Sequence, residues 1–198
     1  MGGSGQVLPF RRPGSGKPGG VDEDEVALVT RAQAGEFQAR AALVKRHLSR
    51  VVGLAHRLAP EQDSEDIAHD AFVRMLTALP SLKVPAAFSG WLSSIVVAEV
   101  RSRLRRVSVR RRLGLAPAKE EEMNLAISSD ASPQIRDGII DLYRAVGALD
   151  PEERVAVLLQ RVEGLELEEI AERMAVSVAT VKRRLVAANR KLIGVSHG

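Results

Sequence analysis

The sequence contains no cysteine, and aromatic residues make up only 3% of its 198 residues. The lack of cysteine excludes disulfide bonds, cysteine-ligated zinc and thiol catalysis together. Because aromatics are scarce, the core must be built from Leu, Val, Ile and Ala, a composition that favours packed helices over a β-sandwich. We therefore predict an all-α protein.

Long apolar runs and metal-binding patterns are also missing. No run is long enough to cross a bilayer, and the N-terminus lacks the apolar centre of a signal peptide. The four histidines do not cluster with one another or with acids, so neither a metal nor a cofactor is predicted. No nucleophile and base pair or phosphate-cradling glycine loop stands out either. We expect a cytoplasmic protein that is not an enzyme, has no small-molecule substrate and does not insert into a membrane.

The positive charge is modest in total but strongly clustered. The net charge is +4, and seven arginines fall within the twelve residues 101–112. Such a cluster exceeds what solubility needs and indicates contact with a polyanion, most simply the phosphates of a nucleic acid. The members that we predict to meet phosphates are Arg101, Arg103, Arg105 and Arg106.

Residues 165–192 have the pattern of a helix-turn-helix. A short acidic helix is predicted first, then a tight turn, then a long basic helix, and each helix has apolar residues at spacings of three and four. Ser177 is placed to cap the second helix. Ala175 stands in the turn where such motifs commonly use glycine, at a cost on the order of 1 kcal/mol if the backbone is left-handed there.

The charges of this motif have opposite signs in its two halves. Residues 150–173 carry eight acids and three bases, whereas residues 182–191 carry five bases and no acid. A solvated helix pair would usually mix its charges, so we prefer a helix that enters the major groove of DNA. The residues predicted at this DNA surface are Ser177, Thr180, Lys182, Arg183 and Arg184.

The chain divides into a tail, two helical domains and a linker. Residues 1–20 contain seven Gly and three Pro and are predicted to be disordered. Residues 21–112 are predicted to form the first domain and residues 133–198 the second. The intervening residues 113–132 have little periodicity and are predicted to be a flexible linker.

Within the first domain, one helix is predicted over residues 36–58 and a second after a cap at Asp63 or Ser64. Residues 80–90 contain two prolines and a glycine and are predicted to be a loop. In the second domain, Asp150, Pro151 and Glu153 form a capping-box signal. The apolar stripe predicted for the first of these helices is Phe37, Ala41, Val44, Leu48, Val51, Ala55 and Leu58.

These motifs resemble those of the extracytoplasmic-function (group 4) sigma factors of bacterial RNA polymerase. The stretch from ALDPEERVAVLL to TVKRRLVAANRKL is similar to region 4 of that family, including EGL and EEIAE. Region 2 is resembled by RAQAGEFQA, DSEDIAHDAF, the pair Trp91 and Leu92 with Ile95, and the closing arginine run. The resemblance covers roughly residues 24–194.

The resemblance implies a factor that binds core polymerase, places region 4 on the minus-35 promoter element and uses region 2 to recognise and melt the minus-10 element. It also implies an anti-sigma partner. Phe88 and its loop would approach the minus-10 strand. The acids implied at the polymerase surface are Asp63, Glu65, Asp66 and Asp70.

A second hypothesis is a sigma-like regulator that binds DNA or polymerase but melts promoters poorly. His69, Ser93, Ser94 and Ala98 stand where region 2 commonly has other residues, and few aromatics are available to stack on unpaired bases. Transcription with purified core polymerase separates the two hypotheses.

Overall fold

The computed structural model describes residues 23–115 and 145–195, and every regular element in those ranges is a helix or a 3₁₀ turn. The predicted tail and most of the predicted linker lie outside these ranges. Two 3₁₀ turns, Leu79–Ser81 and Pro85–Ala87, connect the third α-helix to the fourth. The α-helices are α1 Glu23–Gln33, α2 Phe37–Leu58, α3 Ser64–Ala78, α4 Phe88–Arg112, α5 Pro151–Arg161, α6 Leu167–Met174 and α7 Val178–Val195.

Local signals in the sequence set the starts of several helices. Asp63 caps α3, because its carboxylate accepts hydrogen bonds from the backbone N–H groups of Glu65 at 2.9 Å and Asp66 at 3.0 Å. Asp150 and Glu153 form the capping box of α5, with Pro151 at its first turn. These predicted start signals are confirmed.

The predicted apolar stripe of α2 is wrong in its first half. Phe37 is 76% exposed and Leu48 is 47% exposed, whereas Ala39, Leu43 and His47 face the core. The buried stripe begins two residues later than the predicted one, which is more than half a turn around the helix. Two of these core positions hold Ala39 and His47, a small residue and a polar one. Their low hydrophobicity does not indicate a buried face.

Helix α4 is the central element of the fold. It begins at Phe88, so the predicted loop ends earlier than residue 90, and it packs against α2, α3, α5 and α6. The consecutive residues Ile95, Val96 and Val97 are all buried. Three successive helical residues point in directions about 100° apart, so their common burial requires neighbours on more than one side of α4.

The α5–α7 unit packs directly on the α1–α4 unit. Arg154 of α5 is 6% exposed and donates to both carboxylate oxygens of Glu61, each at 2.6 Å. Arg57 of α2 donates to Glu163 at 2.5 and 3.2 Å. One continuous cluster of buried apolar residues also extends through both units. Their separate folding stays a prediction.

No helix in the described ranges is long and apolar enough to cross a membrane. Within the same ranges, no group of three or more His, Cys, Asp or Glu side chains is arranged to hold a metal ion.

Candidate nucleic-acid interface

Helices α6 and α7 form a helix-turn-helix. Ala175 ends α6 in the left-handed conformation, with φ 51° and ψ 50°. The N–H of Val176 donates back to the carbonyl of Ala171 at 3.0 Å, the long hydrogen bond of a glycine-type helix end. The left-handed conformation common in such turns is therefore kept, with alanine in the position that glycine occupies at lower cost.

The first turn of α7 carries a chain of hydrogen bonds. The N–H of Thr180 donates to Ser177 Oγ at 3.3 Å, so Ser177 caps the helix as predicted. Ser177 Oγ and Thr180 Oγ1 lie 3.0 Å apart, and Arg183 Nη2 donates to Thr180 Oγ1 at 3.3 Å. These linked hydrogen bonds limit the directions in which the Arg183 guanidinium can point.

The exposed and buried faces of α7 are cleanly separated at its start. Val181 is fully buried, and Leu185 is 6% exposed, which anchors the helix to α5 and α6. Lys182 and Arg183 are exposed on the opposite side. A helix fixed by one face and carrying cations on the other has the form of a recognition helix.

Arg184 does not lie on this exposed face. Its side chain is 21% exposed, and Nη2 lies 3.0 Å from the Glu152 carboxylate at the start of α5. Val181 and Leu185 turn the adjoining side of α7 toward the protein. The assignment of Arg184 to the minus-35 surface stays a prediction.

Three arginines of the α4 run pair with carboxylates, and five are exposed, with Arg105 in both groups. Arg101 and Arg105 both contact Glu152, and Arg103 contacts Asp66 at 3.4 Å and Asp70 at 2.7 Å. Three of the four predicted phosphate contacts thus have carboxylate partners within the protein. The exposed members are Arg105, Arg106, Arg110, Arg111 and Arg112.

Three of the four acids predicted at the polymerase surface also have partners within the protein. Asp63 is the cap of α3, and Asp66 and Asp70 face Arg103, where hydrogen bonding to Asp70 raises the arginine's pKa. Glu65 and Asp66 are exposed and Asp70 is half-buried, so the face that they form is accessible. Its contact with polymerase stays a prediction.

Phe88 is fully buried, and its prediction as a strand-contacting side chain is wrong for this conformation. It is the first residue of α4 and points into the core, where its ring meets His47 edge-on at a centroid distance of 5.2 Å. His47 Nε2 lies 2.9 Å from Glu25 Oε1. Burial lowers the pKa of His47 and exceeds the opposing effect of Glu25, and Arg50 lowers it further.

Sequence reasoning missed Glu152, Glu61 and Glu163, which pair with arginines of the other unit. Glu152 follows Pro151 in a strong helix-start signal, which already accounts for an acid at that position. Its partners lie on α4 and α7, and even the nearer of its two α4 partners, Arg105, is 47 residues away. No local pattern marks such a pair.

Comparisons with known proteins agree with this architecture. Residues 43–110 match the family model for Sigma-70 region 2, and residues 139–192 match that for Sigma-70, region 4. The two matched segments correspond to the two helical units described above, and together they define the sigma-70 class of proteins.

Similar proteins indicate the group within the sigma-70 class to which this chain belongs. The ECF RNA polymerase sigma factor SigE of Mycolicibacterium smegmatis is 33% identical over 155 residues, covering 76% of this chain and 58% of that protein. The ECF RNA polymerase sigma-E factor of Escherichia coli K12 is 29% identical over 174 residues, covering 83% and 90%. This chain belongs to the ECF sigma factors.

Two solved structures share the fold. CnrH, in complex with the cytosolic domain of CnrY, is 26% identical with a TM-score of 0.54, and the match covers 86% of this chain and 96% of that one. The sigma factor RpoE of Bartonella quintana, in complex with the anti-sigma factor NepR, has a TM-score of 0.57 at 20% identity, covering 78% and 94%. The second likeness concerns the fold alone.

Proposed function

We propose that this protein directs core RNA polymerase to promoters for the initiation of transcription. Region 4 binds the minus-35 element, and region 2 binds the minus-10 element and the polymerase. The observation that carries the proposal is the start of α7, where Lys182 and Arg183 are exposed and Arg183 is oriented by Thr180. Both sigma-70 regions are present in this chain, which supports α7 as a helix that binds promoter DNA.

The two basic surfaces have different tasks. Lys182 and Arg183 stand early in the recognition helix, where side chains reach base edges, and Arg or Lys pairs well with guanine. Ser177 and Thr180, beside them, can reach the adjoining backbone. The exposed arginines at the end of α4, Arg110, Arg111 and Arg112, are suited to phosphates, whose recognition needs charge more than orientation.

Polymerase contact is proposed for the exposed side of α3. Glu65, Asp66 and Asp70 form an acidic strip, and Arg103 neutralises part of it in the free protein. These surface pairs are weak, on the order of 0–1 kcal/mol, so a basic surface on the polymerase can replace Arg103 at little cost.

A protein partner is also proposed. CnrH was solved with the cytosolic domain of CnrY, and the Bartonella RpoE was solved with NepR, which is named as an anti-sigma factor. We propose an anti-sigma partner for this chain on that basis. Initiation takes place where polymerase and chromosome are, so we place the protein in the cytoplasm and assign it no catalytic activity of its own.

The test is transcription in vitro with purified core polymerase. Core alone and core with the protein are given fragmented DNA from the host genome, and the 5′ ends of the RNA are mapped. We expect new start sites that share a minus-35 sequence. Arg183→Ala should weaken these starts, whereas Lys45→Ala, which removes an equal charge from an exposed site on α2, should leave them unchanged.

The same assay addresses the regulator that melts promoters poorly. The family comparisons favour the initiation factor over this alternative. If the protein binds core and promoter DNA but yields no new start sites on linear templates, the initiation role is refuted. Starts that appear only on templates with a premelted minus-10 region would support the alternative.

A further inference from the structure

We infer that α1 fixes the loop through which region 2 meets the minus-10 strand, and that Gln33 is the residue that positions this loop. The loop comprises residues 79–87, between α3 and α4. The inference rests on the proposed function, because it concerns the part of region 2 assigned to the minus-10 element. Gln33 is half-buried at the end of α1 and acts through the backbone of the loop.

The loop presents a cation beside an apolar side chain. Lys83 and Val84 are both exposed, and Val84 is 57% exposed. An apolar side chain can lie against the face of an unpaired base while a neighbouring cation meets its phosphate. Because Phe88 is buried, these two residues are better placed than Phe88 to contact the strand.

Gln33 holds the beginning of the loop by two hydrogen bonds to its backbone. The side-chain nitrogen Nε2 donates to the carbonyl of Leu79 at 3.0 Å and to that of Leu82 at 2.7 Å. These carbonyls belong to the first residue of the 3₁₀ turn Leu79–Ser81 and to the residue that follows it. An amide nitrogen carries two N–H groups, so one side chain can satisfy both carbonyls at once. Gln33 therefore sets the direction in which the chain enters the exposed segment.

The other end of the loop is held from the opposite end of α1. Ser89 Oγ, in the first turn of α4, donates to Glu25 Oε2 at 3.2 Å and accepts from Arg50 Nη1 at 3.0 Å. Glu25 and Gln33 are eight positions apart on α1, which corresponds to about 12 Å along the helix axis. One helix thus contacts the chain on both sides of the exposed segment.

The exposed segment depends on these attachments, because the hydrogen bonds of its own backbone are short-range. The N–H of Leu82 donates to the Leu79 carbonyl at 3.1 Å, and the N–H of Ala87 donates to the Val84 carbonyl at 2.9 Å. Such bonds shape each turn but do not fix its direction relative to the helices. Loss of the Gln33 bonds should therefore let Lys83 and Val84 adopt several positions, which weakens the choice between bases more than it weakens the fold.

The experiment varies the donor groups of residue 33. Gln33→Met keeps a side chain of similar length but removes both N–H groups, and Gln33→Lys restores donors in the form of an ammonium group. The same two substitutions at Gln38, which is exposed on α2, are the matched controls for an added apolar or positive side chain. Circular dichroism checks that all four variants keep their helices.

The functional readout uses the full-length protein with core polymerase. A pool of templates keeps the upstream sequence of one mapped start site and carries randomised minus-10 positions, and sequencing of the transcripts gives the preference for each base. We expect Gln33→Met to lower the preference for the favoured bases by about 3- to 10-fold, the range that the loss of one hydrogen bond produces. Gln33→Lys should recover most of this preference, and both Gln38 variants should match the unsubstituted protein.

Hydrogen exchange in the protein alone is a second readout, which needs neither polymerase nor promoter. The amides of residues 79–87 should exchange faster in Gln33→Met than in Gln33→Lys or in the Gln38 controls.

Unchanged exchange or an unchanged base preference in Gln33→Met would overturn the inference. A uniform loss of all transcripts with the same base ratios would overturn it as well, because Gln33 would then support the fold and not the reading of bases. Failure of the proposed function appears differently, as an absence of new start sites with the unsubstituted protein. Hydrogen exchange then still decides whether Gln33 holds the loop.

Discussion

Replacing Ala175 by glycine should stabilise the protein, although alanine is the better helix former. Ala175 has φ 51° and ψ 50°, a conformation that costs an L-residue with a Cβ about 1–2 kcal/mol. The hydrogen bond from Val176 to the Ala171 carbonyl holds the backbone there, so the turn cannot relax to another conformation. Ala175 is exposed, which means that its methyl group contributes little packing.

Glycine removes this strain but adds entropy to the unfolded chain, which costs about 0.4–1 kcal/mol. The net gain is roughly 0.5–1 kcal/mol, from the difference of the two terms. For a chain of this size, that gain corresponds to a rise of about 1–4 °C in the unfolding temperature. Thermal and urea unfolding, both followed by far-ultraviolet circular dichroism, measure it.

Ala42→Gly is the matched control. Ala42 is exposed in the interior of α2, so the same substitution should lose helix propensity and destabilise the protein by about 1 kcal/mol. We expect the free energy of unfolding to rise for Ala175→Gly and to fall for Ala42→Gly. If both destabilise the protein by similar amounts, the turn is not strained, and the reasoning from its left-handed geometry is refuted.

Three further predictions concern binding and pH. Arg183→Ala should cost roughly 1–3 kcal/mol on the preferred minus-35 duplex and less on a scrambled one, whereas Arg110→Ala should weaken both equally, as anisotropy across a salt series would show. The reversals Asp66→Arg and Asp70→Arg together should reduce core polymerase binding in a pull-down without altering the far-ultraviolet spectrum. Because burial lowers the pKa of His47, the unfolded chain takes up the proton first, so stability should fall as pH drops below about 6.5. His47→Gln should flatten this pH dependence of the urea midpoint, and an unchanged slope would contradict it.

The sequence predicts this fold well where the signal is local. The caps at Asp63, Asp150 and Ser177 each act on a backbone N–H two or three residues away, and all three form as expected. The left-handed turn at Ala175 is equally local. Short-range hydrogen bonds depend on residue type and spacing alone, and both can be read from the chain.

Side-chain roles in the candidate site were harder to predict because they depend on neighbouring helices. The resemblance implies that Phe88 approaches the minus-10 strand, but its ring is buried against His47 of α2. Arg101 belongs to a basic run of α4 that predicts contact with phosphates. Packing of region 4 buries one side of the helix and brings Glu152 against Arg101. The acid and its partner arginine are 51 residues apart, and spacing carries no information at that distance.

The opposite charges of the two regions have a further consequence. Glu152, near the start of α5, attracts the arginines of α4 just as DNA does, so the ion pairs between the two units and the DNA complex use the same charges. The two kinds of contact differ in their response to salt. Each DNA phosphate that the protein neutralises adds about 0.7–0.9 to the logarithmic salt slope of binding, while half-buried pairs such as Glu152 and Arg101 are screened much less. Rising ionic strength should therefore release DNA before it breaks the ion pairs between the two units.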